Sequence, residues 1–420
     1  MKQPEQSTST LWVGIDVAKL HHDAFASVTG RSPRRRLRFA NSRQGFNRLV
    51  AMIDEARRAS EADDVTIGME PSGIYWKPLF SFLECLGYET VLVHPSAVLH
   101  NRKTYPDGAH KTDRKDAECV WDLLRQGKHF IPVERDADQA VAYRMMKYYD
   151  DCRQRMDQIR NQLRCTLALA FPELNELFQD LTGMTALSFL EKNPTPRQIK
   201  ALGPKRFLQR WRGRRGPMGK RYFEALYELA KSSIGVDDPT GSLAREIQTL
   251  AAEFRRALAA KEHWFEQAQA LLSSRRDYEI VRSVPGIGPK LAVHLLSSIG
   301  RVENFRTGKQ WVKLAGLDLR HHQSGQSARA PRISRKGDAG LRASLYYAAL
   351  NSVKTEGPFR DLYLRRQQAS PGRGSKPRAL VAVADKLLRV LFAMLRDQKE
   401  YNPGHDSEVA TAYPSHSLAA

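Results

Sequence analysis

Four carboxylates stand where they could hold a divalent cation. They are Asp16 in TLWVGIDVAK, Glu70 in DVTIGME, and Asp113 and Asp116 in KTDRKDAECVWDLL. Asp113 and Asp116 are three residues apart, which puts both on one face of a helix. Asp16 falls inside an alternating apolar run that reads as a central strand. A carboxylate buried there is costly without a cation or hydrogen-bond donors. Glu70 ends a second such run, just before Pro71-Ser72-Gly73. Carboxylates brought close together repel unless divalent metal sits among them. Hard oxygen ligands with open positions suit Mg2+ or Mn2+. Two such ions about 3.5–4 Å apart activate one oxygen and stabilise another during phosphoryl transfer. Singly, each acid has an ordinary alternative: acids in a first helical turn complement the helix dipole. Asp23, Asp107 and Glu118 read as surface or turn acids of that ordinary kind.

Bringing the four together demands a particular order of elements. In TLWVGIDVAK, Val13, Ile15 and Val17 share one strand face, and Trp12, Gly14, Asp16 and Ala18 the other. HHDAFASVT (21–29) and RRRLRFAN (34–41) read as two more strands, joined by short turns into an antiparallel meander. Asn41 or Ser42 caps a helix running to Ser60. DVTIGME (64–70) and ETVLVHP (89–95) are a fourth and a fifth strand. A helix over 72–87 lies between them, and another over 112–126 follows. The order β-β-β-α-β-α-β-α is that of a ribonuclease-H-like α/β fold, expected over residues 10–130. In that topology the fourth strand lies beside the first. Glu70 then meets Asp16 at neighbouring strand positions, and the 112–126 helix packs over the same sheet.

The remainder reads as all-α. Residues 131–276 form a helical region with a heptad seam at Leu243, Ile247, Leu250, Phe254, Ala257, Lys261, Trp264, Ala268 and Leu271. That is a coiled coil that would serve oligomerisation, or a long helix packed on its neighbours. The basic run PKRFLQRWRGRRGPMGKRYF (204–223) suits a phosphate backbone or is a solvated loop. Residues 277–400 read as a mostly helical third domain and 401–420 as a disordered tail. VPGIGPK resembles a helix-hairpin-helix turn, whose N–H groups at Gly286 and Gly288, with Lys290, would grip a phosphate at a helix start. A plain packing turn is the alternative.

With 67 Lys and Arg against 46 Asp and Glu, the chain carries a net charge of +21. Such an excess attracts polyanions, with nucleic acid foremost. A membrane partner is disfavoured, because no lipidation motif, transmembrane run or basic amphipathic anchor is found. MKQPEQSTST carries no apolar signal-peptide core, so a cytoplasmic, nucleoid-associated protein is expected. The four cysteines form no CxxC pair, which argues against a zinc ribbon or disulfide framework; they read as small buried apolar residues. The pairs His21–His22 and His321–His322 point apart on a strand or helix, and neither pair alone makes a metal site.

VGIDVAK, MEPSGIYWKPL, HKTDRKDAECVWDLL, VPGIGPKLAVHLLSSIG and the SG…RISRKGDAGLR segment, in that order, resemble one family. It is the DEDD-type transposases of bacterial insertion sequences, in which an element-encoded bridge RNA guides recombination. The resemblance implies a RuvC-like amino-terminal domain, a coiled-coil middle and a carboxy-terminal transposase domain. It assigns Asp16, Glu70, Asp113 and Asp116 to catalysis and metal binding. It also implies a serine nucleophile joined covalently to DNA during strand exchange, which falls on Ser324 in HHQSGQS, with Ser327 and Ser334 nearby. From its surroundings alone Ser324 reads as a turn residue bonded to its own backbone. Arg329, Arg332, Arg335 and Lys336 would clamp the scissile phosphate. The expected partners are donor and target DNA, a bridge RNA and further copies of the chain as a dimer or tetramer. Two rival readings are a RuvC-like endonuclease using metal-bound water and a non-catalytic nucleic-acid-binding relative.

Overall fold

The computed structural model describes residues 9–29, 34–71, 73–104, 113–130, 132–178, 180–211, 220–324, 327–369, 371–372 and 374–403; at 176, 220, 320–324 and 327–331 only the backbone is described. The chain forms two compact units, Met1–Val133 and Glu134–Ala420.

The first unit is a mixed α/β layer structure. Its elements are β1 (Thr10–Asp16), β2 (His21–Val28), β3 (Arg35–Ala40), α1 (Arg43–Ser60), β4 (Asp64–Met69), α2 (Trp76–Cys85), β5 (Glu89–Leu92), α3 (Pro95–Arg102) and α4 (Asp113–Arg125). The sheet order is β3-β2-β1-β4-β5. β1 runs antiparallel to β2 and parallel to β4. Alternation divides the side chains between two layers. Leu11, Val13 and Ile15 enter a core with Phe46, Leu49 and Ile53 of α1 and Leu79 and Leu83 of α2. On the opposite face Val91 and Val93 pack with Val98 of α3 and Val120, Leu123 and Leu124 of α4, beside Trp12. Each such side chain, fully buried, contributes about 1.5–3 kcal/mol.

Ser42 is the residue that caps α1, its Oγ accepting the Gly45 N–H at 3.2 Å. The fifth strand stops at Leu92, short of the expected Pro95, because Pro95 opens α3 with His94 as its cap. Eight residues are too few for a periodicity to show, so α3 was not expected. The cysteines also differ from expectation: Cys119 is buried, but Cys85 and Cys165 are exposed because they sit on the solvent sides of α2 and α5.

His22 is fully buried, edge-on to Phe39 at 5.1 Å and stacked on Phe46 at 6.1 Å. Burial lowers its pKa below the ordinary 6.5. The unfolded chain therefore takes up a proton that the native protein refuses. This contribution is complete above pH 6.5 and is lost as pH falls through the native value. Unfolding free energy should decline as pH drops below 6.5, and less steeply in His22→Leu. Denaturant titrations across that range check this; identical slopes would rule out His22 as a contributor.

Among its described residues the second unit is helical apart from one hairpin. It comprises α5 (Ala137–Ala170), α6 (Leu174–Leu177), α7 (Met184–Leu190), α8 (Pro196–Arg210), α9 (Lys220–Ser232), α10 (Ser242–Leu272), α11 (Arg276–Arg282) and α12 (Pro289–Ile299). Then come α13 (Gly308–Leu314), the hairpin β6 (Leu319–Ser324) and β7 (Ser327–Ile333), α14 (Ala339–Ser352), α15 (Pro358–Ala369) and α16 (Ser375–Asp397). Among the described residues no helix is long and apolar enough to cross a membrane.

The heptad seam is closed within the chain. α5 and α10 lie antiparallel, with Tyr148 stacked on Trp264 at 5.1 Å, Arg155 paired with Glu253 at 3.4 Å and Thr166 bonded to Glu246 at 3.0 Å. The buried stripe of α10 is Ala244, Ile247, Ala251, Phe254, Ala257, Phe265, Ala268 and Leu272. Ile247, Phe254, Ala257 and Ala268 belong to the expected seam. Leu243, Leu250, Trp264 and Leu271 are only half-buried, because α10 is rotated so that the neighbouring column faces inward.

Candidate active site

Two glycines decide where α4 sits. β1 and β4 pair with Gly14 opposite Gly68 and Ile15 opposite Met69. One further step of that parallel register sets Asp16 beside Glu70, which follows the last residue of β4. Period-two alternation puts Gly14, Asp16, Gly68 and Glu70 on one face. A β-carbon on Gly14 would lie 2.3 Å from the Ala117 carbonyl oxygen and 2.4 Å from the Trp121 nitrogen. One on Gly68 would lie 2.4 Å from Leu124 Cδ2. The missing side chains let the α4 backbone rest directly on the sheet.

The direction of α4 follows from its contacts. Trp121 Nε1 donates to the Ser27 carbonyl at 3.0 Å, its ring meets Phe25 edge-on at 5.3 Å, and Glu118 pairs with Arg36. These lie toward one end of β2, whereas the charges of Asp113 and Arg114 act on Asp23, opposite Asp16. The first turn of α4 therefore stands over the end of the sheet that bears Asp16. Asp113, the first helical residue, is exposed; Asp116 is buried at 4% exposure. Asp16 and Glu70 are half-buried.

Asp23 is a residue that the sequence reading missed. It is 5% exposed, not a surface acid, and it pairs in register with Asp16 on the same face. Arg38, its register partner on β3, approaches to 3.8 Å. Burial raises the Asp23 pKa against the pull of Arg38, and the charge of Asp113 adds to the rise. Arg38, Asp23, Asp16 and Glu70 thus form a row across four strands. The signal was present in the strand pattern HHDAFAS, whose alternation sets Asp23 with Phe25 and Ser27.

Arg102 was also missed. Its Nη1 lies 3.2 Å from both Asp116 oxygens. Its neighbour Asn101 donates to Asp122 at 3.0 Å. Asn101 also donates to the Cys119 carbonyl at 3.4 Å, so these contacts join α3 to α4. Burial pushes the nearby Cys119 thiol up to about 11, with the charge of Asp116 adding to the effect.

The donor set suits a hard divalent ion: carboxylate oxygens from two strand ends and one helix, with no thiolate. Among the described residues no three His, Cys, Asp or Glu side chains stand together as a ready-made ligand set. Asp16 and Glu70 are neighbours and Asp113 overlooks the same end of the sheet, while Asp116 faces Arg102. The four side chains are not gathered around one point.

The other expected residues lie in the second unit. Ser324 ends β6 and its backbone pairs with Ser327, which begins β7. The side chains of Ser324, Ser327 and Arg329 lie outside the described residues. Ser334 holds its own turn together, since its hydroxyl donates to Asp318 and accepts the Lys336 N–H at 3.2 Å. Arg332, Arg335 and Lys336 are exposed. Arg335 has φ +54°, a left-handed conformation, and its N–H is held by the Gly316 carbonyl at 3.0 Å.

The turn between α11 and α12 holds the remaining expected contacts. Gly286 has φ +89°, and a β-carbon there would lie 2.5 Å from the Ser352 nitrogen, so packing against α14 explains this glycine. Gly288 caps α12 and has open space around it. Lys290 is paired with Glu262 at 2.8 Å.

Comparison with known proteins defines the class. A transposase family profile matches residues 13–172, which include all four acids, and a second one, the transposase IS116/IS110/IS902 family, matches 278–364. A 44.8 kDa protein of insertion element IS116 from Streptomyces clavuligerus is 25% identical, over 94% of this chain and 96% of that protein. The transposase for insertion sequence element IS1111A of Coxiella burnetii is 30% identical, over 76% of this chain and 74% of that protein. A pilin gene-inverting protein of Moraxella bovis is 31% identical over a shorter stretch, 29% of this chain and 38% of that protein. These similarities define a transposase, an enzyme that cleaves and transfers DNA strands. The chain belongs to the IS110/IS116/IS902 family of insertion-sequence transposases.

Proposed function

We propose that this transposase breaks and rejoins DNA at a metal-dependent centre in a ribonuclease-H-like domain, with Ser324 as the attacking group. The observation that most supports the reading is the β1–β4 register, which carries Asp16 to the position beside Glu70 beneath the first turn of α4. Asp16, Glu70, Asp113 and Asp116 are the residues that would hold Mg2+ or Mn2+. When bound, such an ion supplies charge neutralisation at phosphate oxygens and activation of an oxygen nucleophile. The hydroxyl of Ser324 gives up its proton to solvent as its Oγ bonds to phosphorus, and the bond from phosphorus to the departing deoxyribose oxygen breaks, that oxygen taking up a proton from solvent to leave as a hydroxyl. Rejoining reverses these bond changes with a different strand.

Arg332, Arg335 and Lys336 would hold the phosphate, with guanidinium groups well suited to bidentate contact. The left-handed backbone of Arg335 favours a functional role, since such conformations cost roughly 1–3 kcal/mol outside glycine. Gly288 at the open start of α12 would add backbone N–H contacts to DNA. RNA guidance by an element-encoded transcript and assembly as a dimer or tetramer belong to the same reading; the net charge of +21 is compatible with both nucleic acids.

Incubation with element-end DNA and Mn2+, followed by denaturation, tests the nucleophile. A covalent protein–DNA adduct should form and should vanish in Ser324→Ala, with strand exchange falling roughly 10^3-fold or more. Free cleaved ends produced equally by the wild type and Ser324→Ala would instead indicate hydrolysis by water.

A further inference from the structure

Asp116 and Arg102 form a deeply placed ion pair of the candidate site, with side chains 6% and 13% exposed. Nη1 of Arg102 stands 3.2 Å from each carboxylate oxygen. It therefore occupies the chelating position between the two oxygens of Asp116. The pair is held from the protein side: Asn101 ties the last turn of α3 to Asp122 on α4. Arg102 also closes α3, whose start is fixed by Pro95 and the His94 cap. Asp116 is thus paired and oriented while, among the described residues, no three such side chains are gathered as a ligand set. A divalent ion and a guanidinium competing for the same carboxylate repel each other, and in a poorly solvated place that repulsion is strong.

We propose that Arg102 is an exchangeable counter-ion: it neutralises Asp116 when the centre holds no metal, and it gives up that carboxylate when a divalent ion binds. This rests on the reading of the four acids as metal ligands. Loading the centre then requires breaking one charge-assisted pair, so Arg102 weakens metal affinity while preserving the site in the metal-free protein.

Isothermal titration of the full-length protein with Mn2+ tests this. Arg102→Met should bind Mn2+ at least about tenfold more tightly than the wild type, because a competing charge is gone. Arg102→Lys should stay near the wild type. In thermal unfolding, Arg102→Met should melt below the wild type in EDTA, and saturating Mn2+ should close most of that gap. Equal affinities, or a melting deficit that Mn2+ leaves unchanged, would make Arg102 a plain structural clamp and overturn the proposal. Should Arg102→Met fail to fold, the wild type itself decides. Phenylglyoxal modification of Arg102, mapped by mass spectrometry, should rise when Mn2+ saturates the protein, and continued protection would overturn the proposal. Asp16→Asn separates this inference from the reading beneath it. Mn2+ binding that is lost in Asp16→Asn but indifferent to Arg102 would sink the inference alone. Mn2+ binding that is absent or independent of Asp16 would sink both.

Discussion

Gly14→Ala should be among the most damaging single substitutions in the amino-terminal unit. The added carbon would lie 2.3 Å from the Ala117 carbonyl oxygen and 2.4 Å from the Trp121 nitrogen, both backbone atoms of α4. No side-chain rotation relieves such an overlap, so α4 must lift from the sheet. That costs about 3 kcal/mol or more, at the upper end of overpacking effects. For a unit of this size it corresponds to a fall in Tm of about 10 °C. The lifted helix carries Asp113 and Asp116 away from Asp16 and Glu70, so DNA cleavage should fall with stability. Gly68→Ala is the control within the same seat. Its carbon would lie 2.4, 2.8 and 2.9 Å from Cδ2, Cδ1 and Cγ of the buried Leu124, so one side chain rather than a helix backbone must shift, and the expected loss is smaller, about 2 kcal/mol. Calorimetry on the two variants checks the ranking. Equal small losses would mean that α4 does not rest on these glycines.

Asp16→Asn should do the opposite, sparing the fold and removing the chemistry. The amide keeps the shape of the side chain at the end of β1 but removes a negative charge from the row it forms with Asp23 and Glu70. Burying fewer like charges together is neutral or favourable to stability. The proposed metal loses a ligand, and strand cleavage should drop by roughly 10^3-fold or more. DNA affinity, set by the excess of Lys and Arg, should change little. Gel-shift and cleavage assays on one preparation separate the two effects. Retained cleavage would show that Asp16 is structural.

Much of this arrangement was legible from residue types and spacing. The alternation around Gly14 and Asp16 gave the strand face, and the meander followed by helix-linked strands gave the sheet order. The three-residue step from Asp113 to Asp116 placed both on one turn. What escaped depends on contacts between distant segments. Asp23 looked like part of a polar surface run until the β1–β2 pairing set it against Asp16. Arg102 lies in a helix of eight residues, too short to announce itself. The pairing of Lys290 with Glu262, and the packing of Gly286 against Ser352, each join positions that no local pattern links. The α10 seam was found, but the rotation of the helix shifted half of its buried column by one residue.

The central claim is that a divalent ion binds among Asp16, Glu70, Asp113 and Asp116, and metal-directed cleavage of the polypeptide tests it most directly. Fe2+ substituted into the full-length protein, with ascorbate and peroxide, generates hydroxyl radicals that cut the nearest backbone. The account predicts cuts close to residues 16, 70 and 113–116, suppressed by excess Mg2+ and absent in Asp16→Asn. Cuts confined to other segments, or unaffected by Mg2+ and by Asp16→Asn, would contradict it.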